Sequence, residues 1–265
     1  MDRPLITIAT VTYNAETTLP ATLESVRTQT YPKIEHLIID GCSRDKTCQL
    51  VQRYVEQNTH ESIPHHIRLV REPDHGLYDA MNKAIQNAQG EYIVFLNSGD
   101  RLHSPDTIQA IVDTANWTKG YANNPAVLYG QTNIVDAEGR YLRPRHHQAP
   151  EQLTWQSFAQ GMLVCHQSFY VRKDFARGIP YNLSYRYSAD YDWCIRIMKL
   201  ASRKHIPIVN THAILTDYLS EGLTTKHHRA SLIERMQIMA QYYGWSSTIL
   251  NHIRFALRRL IPHKA

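Results

Sequence analysis

Three aspartates stand where a regular element meets a polar turn, a position from which a carboxylate can reach a ligand. Asp40 follows the apolar run His36–Ile39, Asp100 follows Tyr92–Leu96 through Asn97-Ser98-Gly99, and Asp190 opens a helix-forming stretch in the second half. Carboxylates so placed suit three tasks. One can accept an N–H of a ligand ring, one can share a hard divalent cation with phosphate oxygens, and one can take the proton of an alcohol. Gly99 lets backbone approach a ligand closely, and Asp100 should emerge at the C-terminal edge of a buried strand, where open α/β sheets bind ligands. A plain strand-to-turn junction, with Asp100 as a helix cap, fits the same residues. For Asp190 the local alternative is an N-cap. Asp192 is its rival, and on a helix the two point in different directions, so only one can face a substrate.

The elements that must position these carboxylates follow from periodicity. Leu5–Val11 reads as a first buried strand, Leu19, Leu23 and Val26 as a helix face with Pro20 in its first turn, and His36–Ile39 as a second strand. Leu50, Val51, Tyr54 and Val55 mark a second helix, Ile67–Val70 a third strand, and Leu77, Met81, Ala84, Ile85 and Ala88 a third helix that stops near Gly90. Tyr92–Leu96 is an unbroken β-favouring run, as in a strand covered on both faces. Alternation of this kind predicts βαβ units and a parallel sheet.

After Asp100 the rhythm changes. Ser104 and Pro105 read as the cap and first position of a helix, and Val127–Val135 with Tyr141-Leu142 as a hairpin. His166–Val171 is expected as a strand, Tyr187–Leu200 as a helix, Ile206–Leu215 as a strand and Ser220–Thr225 as a mobile loop. Two helices, about 229–243 and 247–260, close the chain. In the second, Ile249, Leu250, Ile253, Leu257, Leu260 and Ile261 alternate with His252, Arg254, Arg258 and Arg259. Such a basic amphipathic helix either docks on the domain or lies shallowly on an anionic membrane.

At 265 residues and 43% hydrophobic content the chain can bury one large α/β core. Its charge of +5 suits a phosphorylated substrate or an anionic surface and does not require nucleic acid. Cys42, Cys48, Cys165 and Cys194 form no CxxC or zinc-type spacing, which points to a reducing setting. The three adjacent histidine pairs read as solvated surface. With no signal peptide and no run long enough to span a bilayer, the expected location is cytoplasmic, peripheral at the inner face of the membrane if the last helix binds lipid. Neither GxxxxGK[ST] nor GxGxxG occurs, which disfavours a P-loop ATPase and a Rossmann dehydrogenase.

Taken together, TVTYNAETTLPATLESVRTQTYPKIEHLIIDGCSRDKT, EPDHGLYDAMNKAIQNAQGEYIVFLNSGD, HQSFYV and YSADYDWCIRI resemble family 2 glycosyltransferases of the GT-A fold, and among these the bacterial enzymes of capsule, exopolysaccharide or O-antigen assembly. The resemblance runs from about residue 4 to 225. It implies a Rossmann-like, mostly parallel central sheet flanked by helices, with antiparallel additions and C-terminal helices. It also implies a domain over residues 1–225, divided into a nucleotide-sugar half (1–100) and an acceptor half (101–225), and a helical extension at 226–265.

The implied chemistry is inverting transfer of a sugar from a nucleotide-diphosphate-sugar, with a UDP-sugar favoured, to a hydroxyl of a saccharide or lipid-linked saccharide. Thr10, Val11, Tyr13, Asp40, Ser98 and Gly99 would contact the nucleotide, and Asp79, which shares a helix stripe with Asn82 and Lys83, would contact the donor sugar. Asp100 would hold Mn2+ or Mg2+, Asp190 would be the general base, and His166 and Gln167 would flank the acceptor, with Trp155 either against a sugar or in the core. Two departures from the family pattern matter. Ser98 replaces the first carboxylate of the metal motif, leaving one protein carboxylate and His212 as a further candidate ligand, and Ala189 replaces the usual Glu before the base. The loop Ser220–Thr225 resembles one that closes over the diphosphate. The rival readings are a nucleotidyltransferase, although TVTYNAETT lacks that class's Gly-rich phosphate loop, and a non-catalytic sugar-nucleotide or nucleic-acid binder.

Overall fold

A computed structural model describes residues 3–115, 117, 124–220 and 228–260, the side chains of 228 and 256–260 excepted. The first half is β1 (Ile6–Thr12), α1 (Leu19–Arg27), β2 (Ile34–Asp40), α2 (Thr47–Asn58), β3 (His66–Arg71), α3 (Leu77–Asn87) and β4 (Tyr92–Phe95). These strands pair in parallel, with β1 between β2 and β4 and β3 outside β2. Every residue of β1, β2 and β4 is buried, as continuous apolar runs covered on both faces require. Their side chains divide by parity. Ile6, Ile8, Tyr92 and Val94 face one core, whereas Ala9, Val11, Ile93 and Phe95 face the other. The edge strand β3 is only partly covered, and on α2 the buried stripe is Thr47, Val51, Tyr54 and Asn58, which leaves Val55 outside.

The second half comprises β5 (Arg101–Leu102), α4 (Thr107–Thr114), β6 (Val127–Val135), β7 (Tyr141–Pro144), β8 (Phe169–Arg172), α5 (Lys173–Gly178), α6 (Ala189–Arg203), β9 (Ile208–Leu219), α7 (His228–Tyr243) and α8 (Trp245–Leu260). The sheet order is β3-β2-β1-β4-β8-β6-β9-β5, with β7 paired to β6. Strand β8 runs antiparallel between β4 and β6 and joins the parallel half to the mixed half. Trp193 locks α6 onto the sheet, stacked on Tyr181 at 4.7 Å and edge-on to Phe95 at 5.9 Å, with its indole N–H donating to the Ile179 carbonyl. Burial of an aromatic of this size contributes on the order of 3–5 kcal/mol.

Two elements differ from the sequence expectation, each because distant polar groups intervene. Helix α4 starts at Thr107, leaving Ser104 and Pro105 outside it. The Gln29 amide takes the Ser104 carbonyl at 2.7 Å and accepts the Ile108 N–H at 3.1 Å, so it stands in for the helix's own first bond. His166–Ser168 is a 3-10 turn, and the strand begins only at Phe169. All three side chains of that turn are buried and hydrogen-bonded, and Ser168 Oγ pairs with Thr132 Oγ1 at 2.7 Å. These contacts override the β propensity of the segment.

The C-terminal helices pack on the domain. Glu234 of α7 accepts the N–H groups of Arg186, Tyr187 and Ser188 at 2.8–2.9 Å, capping the approach to α6, and Ile238 and Met239 join the larger core. In α8, Thr248 is buried and Asn251 donates to the Ala159 carbonyl, while Trp245, Ile249, Leu250 and Ile253 are about half exposed. Among the described residues no helix is long and apolar enough to cross a membrane. All four cysteines are free thiols. Most of the expected loop Ser220–Thr225 and the side chains of Leu257, Arg258, Arg259, Leu260 and Ile261 lie outside the described residues.

Candidate active site

The turn after β4 is held from α1. Ser98 Oγ pairs with Thr18 Oγ1 at 2.8 Å, and Thr22 Oγ1 accepts the Gly99 N–H while donating to the Asp100 carbonyl. Gly99 has φ +104°, a conformation that calls for glycine, and a Cβ there would lie 2.8 Å from Leu219 Cδ2, so that side chain would have to shift. Asp100 is buried. Its Oδ2 accepts from Gln167 Nε2 at 2.9 Å and its Oδ1 from the Leu219 N–H at 3.0 Å. Burial raises its carboxyl to about 6, a rise that these two donors only partly offset.

Asp190 enters from the first turn of α6. Tyr78 Oη of α3 donates to its Oδ1 at 3.1 Å, and His166 Nδ1 lies 3.2 Å from its Oδ2. His166 Nε2 is in turn 3.2 Å from Asn97 Nδ2, in the turn that ends at Asp100. Burial pushes the Asp190 carboxyl up, but the His166 hydrogen bond and the positive charges of His166 and Arg235 outweigh it and hold the group below the usual carboxylate range. The rival Asp192 is committed elsewhere, to Arg196 Nε and Tyr242 Oη, both at 2.7 Å. Nor is Asp190 the N-cap, since Ser188 holds that position.

One 3-10 turn therefore serves both carboxylates, His166 on Asp190 and Gln167 on Asp100. The resemblance sets these two residues beside the acceptor pocket; in the fold their side chains turn inward. Both are buried, and each spends its polar atoms inside the protein. The sequence reading passed over Tyr78, Asn97, Arg235 and Arg145. Tyr78 and Asn97 sit inside the segments it quoted, whereas nothing local distinguishes the two arginines. The Arg145 guanidinium donates to the Met162 and Leu163 carbonyls.

At the C-terminal ends of β1 and β2 the expected residues separate. Thr10 is buried with its hydroxyl 3.0 Å from His36 Nε2, and Val11 is part of the core, so neither side chain opens to a ligand. Asp40 is fully buried. Its oxygens take the Ser43 N–H (2.9 Å) and hydroxyl (2.5 Å) and the Thr12 hydroxyl (3.2 Å), with Arg71 Nε at 3.5 Å. Asp40 thus shapes the loop after β2, and an incoming N–H would have to compete with that loop. The exposed surface here belongs to Tyr13, 61% accessible, which together with Asp74 borders Gly41. A Cβ on Gly41 would fall 2.2 Å from Asp74 Oδ2 and 3.4 Å from the Tyr13 ring.

Asp79 accepts the His75 N–H at 2.9 Å with Lys83 Nζ at 3.7 Å, bracing the loop before α3. Asn82 does not share an exposed stripe with it, because its amide makes two bonds to the Tyr181 backbone. Trp155 stacks on Tyr243 with Lys199 over its ring, so core packing is its role. His212 faces Glu151 at 3.6 Å on the surface and does not join Asp100.

Among the described residues no three His, Cys, Asp or Glu side chains form a metal cluster. Asp100 is the carboxylate of the turn after β4, beside the unpartnered Asn97 Oδ1, and such a set fits Mn2+ or Mg2+ shared with phosphate oxygens and water, not a self-sufficient protein cage. Hollows of about 380 Å3, lined by Arg196, Lys199, Arg203 and Tyr242 among others, and about 300 Å3, beside Trp155 and Met198, share no residue with the carboxylate cluster. The cluster sits instead at the sheet's C-terminal edge.

The sequence model "Glycosyl transferase family 2" matches residues 7–178. A PGL/p-HBAD biosynthesis glycosyltransferase of Mycobacterium bovis is 29% identical over 197 residues, 74% of this chain and 70% of the relative. Of solved structures, S. aureus TarS 1-349 with UDP-GlcNAc superposes with a TM-score of 0.60 at 16% identity, covering 89% of this chain and 71% of TarS. The mannosyltransferase PcManGT of Pyrobaculum calidifontis, in complex with GDP-Man and Mn2+, gives 0.62 at 18% identity, covering 97% and 76%. The fold is therefore GT-A-like, a mixed, mostly parallel sheet flanked by helices.

Proposed function

Since the chain belongs to glycosyl transferase family 2 and is a glycosyltransferase that uses nucleotide sugars, we propose that it is an inverting enzyme moving a sugar from a UDP-sugar to a hydroxyl of a saccharide or lipid-linked saccharide in bacterial surface glycoconjugate assembly. One observation carries this reading. Asp100 and Asp190, ninety residues apart, meet across the single turn His166–Ser168. In this scheme residues 1–100 bind the nucleotide and residues 101–225 receive the acceptor, with Tyr13 and Asp74 around Gly41 as the base pocket.

The acceptor oxygen attacks the anomeric carbon from the face opposite the diphosphate, and Asp190 takes its proton. An aspartate held below the ordinary range is ionised at neutral pH but is a weak base toward an alcohol, so the proton moves late, once the forming C–O bond has made the oxygen acidic. Tyr78 and His166 fix the carboxylate's direction and withhold it from other partners. A divalent ion bound at Asp100 would neutralise charge growing on the leaving diphosphate. No covalent intermediate is needed.

Incubation with UDP-sugars and saccharide primers, read by UDP release and by NMR of the new anomeric centre, tests the proposal. Transfer with inverted configuration is expected; retained configuration, or pyrophosphate release from a nucleoside triphosphate in place of sugar transfer, would overturn it in favour of another mechanism or a nucleotidyltransferase.

The half-exposed Trp245, Ile249, Leu250 and Ile253 of α8 support a second part of the proposal, peripheral attachment to the anionic inner face of the cell membrane. The helix sequence contains no acidic residue and carries Arg254 beside this apolar face. Replacing Ile249, Leu250 and Ile253 with Ser is expected to reduce pelleting with phosphatidylglycerol vesicles at least tenfold, at about 0.8 kcal/mol per CH2 removed from lipid, while transfer to a soluble primer is unchanged. Equal pelleting of the two proteins would dismiss attachment.

A further inference from the structure

We propose that His166 is a positioning residue which, with its ring oriented by Asn97, donates Nδ1–H to Asp190 and so ties the base to the turn that carries Asp100. This rests on the reading of Asp190 as the base and goes beyond it, since nothing in that reading requires a partner for the carboxylate or a link to the donor side.

The hydrogen-bond inventory fixes the direction of the bond to Asp190. An ionised Asp190 can only accept, so Nδ1 at 3.2 Å from Oδ2 must carry a proton. Asn97 meets Nε2 at 3.2 Å with its amide, whose oxygen is otherwise unpartnered, so either end of that amide orients the ring while Nδ1 faces Asp190. His166 is buried with both nitrogens in use, which leaves it no polar atom for the acceptor. Its backbone is fixed equally well, because the next two residues are bound to Asp100 and to Thr132. The arrangement inverts the usual His–Asp pair of hydrolases: here the carboxylate does the chemistry and the imidazole aims it. Any rearrangement of Asn97-Ser98-Gly99-Asp100 on donor binding reaches the base through one ring.

Other groups face Asp190 as well. Tyr78 comes from α3, Tyr181 from the segment before α6, Tyr218 from β9, Arg145 from beyond β7 and Arg235 from α7, and Cys194 lies on α6 itself. Of these, only Tyr78 hydrogen-bonds the carboxylate, and it does so at the other oxygen. The Tyr191 backbone N–H also supports the carboxylate, and His166 is the side chain that hydrogen-bonds Oδ2.

Two substitutions separate aiming from packing. His166→Asn keeps an N–H near the place of Nδ1, whereas His166→Gln puts its amide near Nε2 and leaves Asp190 Oδ2 without its side-chain donor. The Asn variant should retain kcat within about threefold. The Gln variant should lose roughly 10–100-fold in kcat, with an unchanged KM for the UDP-sugar and the acid limb of kcat/KM moved up by about one pH unit. Equal losses in the two variants, with the limb unmoved, would overturn the proposal.

A 15N NMR measurement on the wild-type protein stands apart from the folding of any variant. His166 protonated at Nδ1 is expected, and a neutral ring protonated only at Nε2 would overturn the assignment. Asp190→Asn keeps the two readings distinct. If it turns over normally, the base assignment falls and the relay with it; if it is inactive while both His166 variants match the wild type, only the relay falls.

Discussion

Asp190→Asn should retain UDP affinity within about a factor of two and lose roughly 10²–10⁴-fold in kcat, the usual worth of a positioned general base. The amide has the shape of the carboxylate. Turned with its oxygen toward His166 Nδ1–H and its NH2 toward Tyr78 Oη, it keeps both hydrogen bonds, so the fold should be preserved. What disappears is the capacity to take a proton. Asp192→Asn is the contrasting control, because it disturbs the bonds to Arg196 and Tyr242 and should cost about 1–3 kcal/mol of stability while leaving kcat near that of the wild type. A pH series gives a further check. Because the folded Asp190 carboxyl lies below its unfolded value, its contribution to stability is present above the ordinary carboxylate range and is lost as pH falls through the folded value. Denaturant titration should find the wild type's acid-side loss diminished in the Asn variant. Wild-type turnover by Asp190→Asn would remove the base assignment.

The parts of the fold legible in the sequence were those that depend on local pattern. Tyr92–Leu96 read as a doubly covered strand, and Leu19, Leu23 and Val26 as a core-facing stripe, because burial of such runs is a large local driving force, and all of these residues are buried. The carboxylates were legible for a related reason: each ends or opens a regular element, so its place at the sheet edge follows from the element. Side chains whose partners lie far along the chain were not legible. His166 and Gln167 sit in a segment of high β propensity, and only Asp190, Asp100 and Thr132, from three other elements, turn it into a 3-10 bend. Asp40, expected to contact the nucleotide, also holds the Thr12 hydroxyl from β1 and, closer by, the N–H and hydroxyl of Ser43. Asn82 read as solvent-facing until Tyr181, 99 residues later, supplied both of its partners. Periodicity says which face of an element is wet, and a long-range polar contact can dry it.

Asp100→Asn should abolish the Mn2+-dependent part of UDP affinity and reduce turnover by more than roughly 10²-fold, since in the proposed scheme Asp100 would hold the ion and no cluster of three His, Cys, Asp or Glu among the described residues could replace it. The same substitution should make the metal-free protein more stable at neutral pH. The folded Asp100 carboxyl is raised from 3.8 to about 6. Below the lower value both folded and unfolded chains are protonated and the group costs nothing. Between the two values the unfolded chain ionises first, so stability falls as pH rises. Above about 6 the full penalty is present, at most about 3 kcal/mol at roughly 1.4 kcal/mol per pKa unit. Asparagine has no proton to lose, and Gln167 can turn its amide to present an oxygen to the new NH2. The melting temperatures of wild type and variant should therefore agree near pH 4 and separate by several degrees at pH 7.5, with the variant higher. Parallel curves across that range would show that the buried carboxylate is not strained by its charge. Divergence together with lost turnover would identify Asp100 as a group kept at a cost in stability because the bound donor needs its charge.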